Sequence, residues 1–179
     1  MGYAIAEAAR NAGHHITLIS GPVAIAAPAG VVVRRVVSAA EMLAETRRAF
    51  RTADAAIFAA AVSDYRPKNR ASKKGPKSKR GTTIRLEPTE DIAATIGKLK
   101  GDRVTIGFAL EDHAGRLHAE RKMRTKRFDA IILNSPRAID AGRTAVEYYD
   151  GSRWDPWPAL PKSKIANRII GRVMEIRDS

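Results

Sequence analysis

What most constrains the fold is a series of short, unbroken apolar runs separated by segments of helical periodicity. DAAIFAAA (54–61) is apolar enough to be a central parallel strand covered on both faces. HITLIS (15–20), closed by Gly21-Pro22, VVVRRVV (31–37), TTIRLEP (82–88), VTIGFAL (104–110) and DAIILN (129–134) predict further strands. Between them lie helical patterns. An alanine-rich stretch from Tyr3 to Ala12 is closed by Gly13, and Ser38 with Glu41 forms a capping box that opens a helix to about Phe50. Thr89 is placed to cap a helix over 90–99, and 114–127 reads as a basic helix. Ser163 is placed to cap a final helix with Ile165, Ile169, Ile170 and Val173 on one face. TAVEYYD (144–150) followed by Gly151 predicts a hairpin at the end of the sheet. Strands and helices alternate at βαβ spacing, without an internal repeat or a domain linker. The expectation is one domain over residues 1–179, an α/β fold of three layers. Its sheet is mostly parallel, with helices on both faces and an antiparallel hairpin at one end.

Charge narrows the function. The 32 Lys and Arg exceed the 19 Asp and Glu by 13. Nine basic residues and no acid lie between Tyr65 and Leu86, and six basic residues against Glu120 alone lie between Arg116 and Arg127. These two stretches carry fourteen net positive charges, and the rest of the chain sums to minus one. A concentrated excess of this kind points to a polyanionic partner, either nucleic acid or phosphorylated small molecules. The stretch 62–81, rich in lysine, proline and glycine, reads as a mobile surface loop. Without cysteine, thiol catalysis, disulfides and Cys-ligated metal are excluded. No apolar run is long enough to span a membrane and the start does not read as a signal peptide, so a cytoplasmic location is the default expectation.

In sheets of this kind ligands gather beyond the carboxyl ends of the strands. Three such ends carry candidate chemistry: AAAVSDYRP (59–67) with Asp64 and Arg66, GFALED (107–112) with Phe108, and ILNSP (132–136) with Asn134. Each has a plainer reading: Asp64 as a turn residue, Phe108 as core, Asn134-Ser135-Pro136 as a turn, the lysine run as solvated surface. Lys122 and Lys126, four apart, share a helix face. The four histidines show no metal-ligand spacing. A nucleic-acid-binding module would use the same basic loop, yet no aromatic residue lies between Pro67 and Gly81 to stack on bases. A nicotinamide-dependent reductase needs a complete glycine fingerprint, which this sequence does not display.

Taken in order, the segments carry a resemblance. MGYAIAEAARNAGHHITLISGPV (1–23), AAAVSDYRP and GFALED together resemble phosphopantothenate–cysteine ligase, the synthetase half of the bifunctional coenzyme A biosynthesis flavoprotein. The resemblance covers nearly the whole chain and implies a Rossmann-like fold. It implies an enzyme that uses CTP or ATP with Mg²⁺ to join phosphopantothenate to cysteine through an acyl-nucleotidylate, as a homodimer, with no nucleic acid or membrane partner. By matched position, Lys77 is the catalytic flap lysine, with Lys74 as the alternative register. The nucleotide-binding set is Phe58, Ala59, Ala60, Asp64, Thr89, Glu90, Phe108, Lys122 and Lys126, and the substrate-binding set is Ala61 and Asn134. No protein metal ligand is implied, since Mg²⁺ favours phosphate oxygens and water. The sequence departs from the family at Thr89-Glu90-Asp91, where Asn-Pro-Asp is usual, and at Leu133-Asn134-Ser135, where Ala-Asn-Asp is usual. The choice between CTP and ATP stays open. The family pattern also places a glycine-rich strand-turn and an Asn-x-Ser-Ser-Gly-Lys segment ahead of the residue matching Met1, so the chain is expected to be an N-terminally truncated synthetase domain.

Overall fold

A computed structural model of the chain describes residues 1–69, 83–111, 114–134 and 142–179. Helix α1 (Gly2–Asn11) ends as its composition predicts. Gly13 takes φ +89°, its N–H donates to Arg10 O, and the N–H of His14 reaches back to Ala9 O at 3.1 Å. Two otherwise orphaned carbonyls are thereby satisfied. Strands β1 (Thr17–Ser20) and β2 (Val32–Arg35) pair in parallel. Helix α2 (Ala39–Phe50) follows, and the Ser38 hydroxyl accepts the Glu41 N–H while the Glu41 carboxylate accepts the N–H of Val37.

The main sheet has the order β3-β6-β7-β8-β9. Strands β3 (Ala55–Phe58), β6 (Val104–Leu110) and β7 (Ala130–Asn134) run parallel, and β8 (Arg143–Tyr149) and β9 (Trp154–Pro161) turn back antiparallel through Gly151 at φ +94°. Helices cover both faces of it, as expected. On one face α1 and α5 (Lys162–Arg177) press Ile5, Ala9, Ile165 and Ile169 against Val104, Ile106 and Ile132. On the other, Ala119 and Met123 of α4 (Gly115–Lys126) meet Ala109, Ile131, Leu133 and Phe128. Strict alternation along β6 and β7 is what divides the two cores: neighbouring residues of a strand point to opposite faces. Leu43 and Phe50 of α2 pack with Ile92 and Ile96 of α3 (Ile92–Gly97).

Two glycines are required by space. A Cβ on Gly107, in the middle of β6, would lie 2.0 Å from the Phe128 ring, and one on Gly97 would lie 2.0 Å from the Lys126 carbonyl oxygen. At the amino end of β6, Arg103 lies 4.2 Å over the Phe50 ring and donates to the carbonyls of Lys100 and Phe50. Asp129 accepts from the Thr105 N–H at 2.7 Å and from the Lys100 ammonium. The buried ends of two strands and two helices are thus hydrogen-bonded to one another, as buried polar groups must be.

Several elements differ from the expectation. Strand β3 is four residues long, half-buried, and occupies an outer position among the described residues instead of the centre of a continuous sheet, because β1 and β2 pair apart from it. The first strand starts at Thr17 rather than His15. Part of the expected loop is ordered: β4 (Tyr65–Pro67) pairs antiparallel with β5 (Leu86–Pro88), so the predicted strand 82–88 contributes three residues to a ribbon outside the main sheet. Asp91, not Thr89, caps α3, which is shorter than the predicted 90–99. Helix α5 starts at Lys162 rather than behind a Ser163 cap, because the extended Pro161 (φ −54°, ψ 143°) already makes the turn out of β9.

Candidate functional site

The site lies where the parallel strands end. Ala59, Ala60 and Ala61 leave β3 with side chains no larger than a methyl group, and a Cβ on Gly2 would lie 3.7 Å from that of Ala59. The first turn of α1 therefore sits against the end of β3. It is also tied to the end of β1, where the Tyr3 phenol and the Ser20 hydroxyl are hydrogen-bonded at 2.9 Å. Asp64 follows, exposed. Its carbonyl accepts the Thr89 N–H at 2.9 Å, and the Thr89 hydroxyl donates to Ser63 O at 2.6 Å. Beyond Asp64 the β4–β5 ribbon is closed by Arg66 on Glu87 at 2.8 Å and by the Lys68 N–H on Arg85 O at 2.9 Å. The ribbon brings the two limbs of the basic segment together beside Asp64. Residues 70–82, and with them Lys74, Lys77, Lys79 and Arg80, lie outside the described residues.

Helix α4 supplies cations from the opposite side. Lys122 Nζ donates to the Phe108 carbonyl oxygen at 2.8 Å, and Lys126 Nζ is 2.9 Å from Asp91 Oδ2. Burial, helped by the neighbouring Lys126 charge, holds the Lys122 ammonium below the ordinary lysine value, while Glu111, Asp91 and Asp64 pull it back up. Asp64, Lys122 and Lys126 thus share one electrostatic neighbourhood with the Phe108 backbone. The Phe108 side chain packs on the α1–α5 core, and Phe58 stacks at a tilt on Phe128 with ring centroids 5.5 Å apart. For Phe108 it is the main-chain carbonyl, through its bond to Lys122, that borders the candidate site.

Glu90 is turned elsewhere. Its carboxylate accepts from Arg47 of α2 and from the Thr95 hydroxyl, each at 3.1 Å. Asn134 ends β7 half-buried: its carbonyl accepts the Glu111 N–H at 3.2 Å and its Oδ1 accepts from the buried Thr144 hydroxyl at 3.2 Å. His118 Nδ1 stands 3.4 Å from Glu111.

Sequence reasoning missed two contributors. Asp91 joins α3 to Lys126; its position ahead of IAATIG was a signal, since Asp is among the strongest N-cap residues. Thr144 orients Asn134, and nothing local in the sequence marks it. Among the described residues no three Asp, Glu, His or Cys side chains come together as a metal cage. The described site joins two lysines, their carboxylate neighbours and main-chain groups, and the lysines suit it to binding phosphates and stabilising charge on them.

A family model described as the C-terminal domain of the DNA/pantothenate metabolism flavoprotein matches residues 1–176. A cysteine/cysteine sulfinic acid decarboxylase from an unknown prokaryotic organism is 42% identical over 98% of this chain and 51% of its own length. The coenzyme A biosynthesis bifunctional protein CoaBC of Bacillus subtilis is 37% identical over 97% of this chain and 44% of its own. The chain therefore spans about half the length of these relatives. A crystal structure of the C-terminal domain of CoaBC superposes with a TM-score of 0.84 at 33% identity, covering 99% of this chain and 83% of that one.

Proposed function

The chain belongs to the DNA/pantothenate metabolism flavoprotein C-terminal domain family, and from that premise we propose that it carries the synthetase chemistry of coenzyme A biosynthesis, joining 4′-phosphopantothenate to cysteine. The observation that supports this reading best is the lysine pair of α4, with Lys122 held on the Phe108 carbonyl of β6 and Lys126 on Asp91, near the end of β3. Small residues on one side and two lysines on the other suit a triphosphate, whose roughly four negative charges need concentrated cationic compensation.

In the proposed reaction a carboxylate oxygen of phosphopantothenate attacks the α-phosphorus of CTP or ATP. A P–O bond breaks, pyrophosphate departs, and an acyl-nucleotidylate remains. The cysteine amine then attacks the activated carbonyl, the nucleoside monophosphate leaves, and the amine gives up a proton as the amide forms. Lys122 and Lys126 bind the nucleotide phosphates. Lys77, carried by the basic segment, neutralises charge growing on the α-phosphate and on the leaving pyrophosphate. The small side chains of Ala59 and Ala60 let the nucleotide approach the main chain, and Ala61 and Asn134 border the acid substrate. No residue is assigned to Mg²⁺, which belongs with the triphosphate as its counter-ion.

The homodimer and the cytoplasmic location implied by the resemblance belong to the same proposal. Among the described residues no helix is long and apolar enough to cross a membrane. The reading is tested by pyrophosphate release. The protein should release pyrophosphate from CTP or ATP only when phosphopantothenate is present, and Lys77→Ala should abolish that release. Absence of release with both nucleotides would sink it.

A further inference from the structure

Lysines 122 and 126 lie one turn apart on α4, both half-buried, and two ammonium groups so placed repel each other. Asp91 lies against this pair from a different element. Its Oδ1 accepts the Ala94 N–H at 3.0 Å and caps α3, so the carboxylate is not free to swing, and its Oδ2 is 2.9 Å from Lys126 Nζ. The backbones behind the contact are equally fixed, since Gly97 leaves no room for a side chain against the Lys126 carbonyl. We propose that Asp91 is a positioning residue: clamped by the cap of α3, it holds Lys126 in place and supplies the counter-charge that lets two ammoniums share one half-buried face. This deepens the ligase reading and rests on it for its meaning, because there the two ammoniums meet a triphosphate.

Among the described residues, the charged groups that act on Lys122 are Lys126 on its own helix, Glu111 just after β6, Asp64 beyond β3 and Asp91 at the head of α3. Of these, Asp91 makes a direct ion pair with Lys126. Although burial pushes the Asp91 carboxyl up, the Ala94 N–H and the Lys126 ammonium outweigh it and leave it below the ordinary carboxylate value. It is charged wherever the lysines are.

Asparagine caps a helix about as well as aspartate, so Asp91→Asn removes the charge while keeping α3. The experiment follows the Lys122 side-chain ¹³Cε resonance through an alkaline titration, assigned by its loss in Lys122→Arg. The titration midpoint should move to lower pH in Asp91→Asn and to higher pH in Lys126→Met. Asp91→Ser, an uncharged cap of different size, repeats the test should the asparagine chain fail to fold. An unchanged or raised midpoint in a folded, uncharged Asp91 variant overturns the proposal. In parallel, calorimetric binding of Mg²⁺-CTP and Mg²⁺-ATP should weaken at lower pH in Asp91→Asn than in the wild type. Binding of neither nucleotide by the wild type counts against the ligase reading, and the Lys122 titration still decides the role of Asp91.

Discussion

Gly107→Ala isolates the packing that fixes the middle of β6. The new methyl carbon would stand 2.0, 2.4 and 2.8 Å from three carbons of the Phe128 ring, whereas carbons in good contact sit about 3.5–4.0 Å apart. Phe128 or β6 must give way by about 1.5 Å to restore that contact, and neither is free. The strand is paired on both sides, to β3 and β7, and the ring is 6% exposed and packed on Phe58. Replacing glycine by alanine ordinarily gains about 0.5–1 kcal/mol through the unfolded chain. Overpacking a core costs about 1–3 kcal/mol, and a 2.0 Å approach on backbone held from both sides belongs at the upper end. The net loss should be about 2 kcal/mol, a fall of about 4–8 °C in Tm for a chain of this size. Urea unfolding should show a lower midpoint at unchanged slope. Adding Phe128→Leu should recover about 1 kcal/mol or more relative to the sum of the single changes. If the two substitutions add to within about 0.5 kcal/mol, the clash does not govern this position.

Gly97→Ala tests the α3–α4 contact. Within a helix this change normally stabilises by about 1 kcal/mol, so a lowered Tm would show that the Lys126 carbonyl, 2.0 Å from the new atom, decides the sign. Asp150 gives a pH prediction. Desolvation pushes its carboxyl up, but the Ser152 hydroxyl, the N–H groups of Arg153 and Ser152 and the Arg153 charge hold it down at about 2. A depressed carboxylate contributes stability that is present above its ordinary pKa and is lost as pH falls through the folded value. The gap in urea midpoint between wild type and Asp150→Asn should therefore stay constant above about pH 4 and close towards pH 2.

Local chemistry made much of this fold legible. Gly13 and Ser38 announce helix ends because their partners lie within five residues, and the apolar runs at 104–110 and 129–134 need no distant information to read as strands. The errors fall where pairing is long-range. Tyr65–Pro67 reads as loop because only Leu86–Pro88, some twenty residues on, makes it a strand. The separate pairing of β1 with β2 depends on which strands come to lie side by side, which no local run reveals. In the candidate site, helical spacing gives only the shared face of Lys122 and Lys126, and their role comes from the family resemblance, whereas the Asp91–Lys126 and Thr144–Asn134 contacts span 35 and 10 residues and become visible only when α3 and β8 have docked.

Strand β9, the second strand of the antiparallel hairpin, carries prolines at 156, 158 and 161, and among the described residues it is the outermost strand of its sheet. Three of its eight residues have no N–H to offer, so a passing strand would find gaps in any ladder it tried to extend. The border of the sheet farthest from β3 is thus protected against indiscriminate growth.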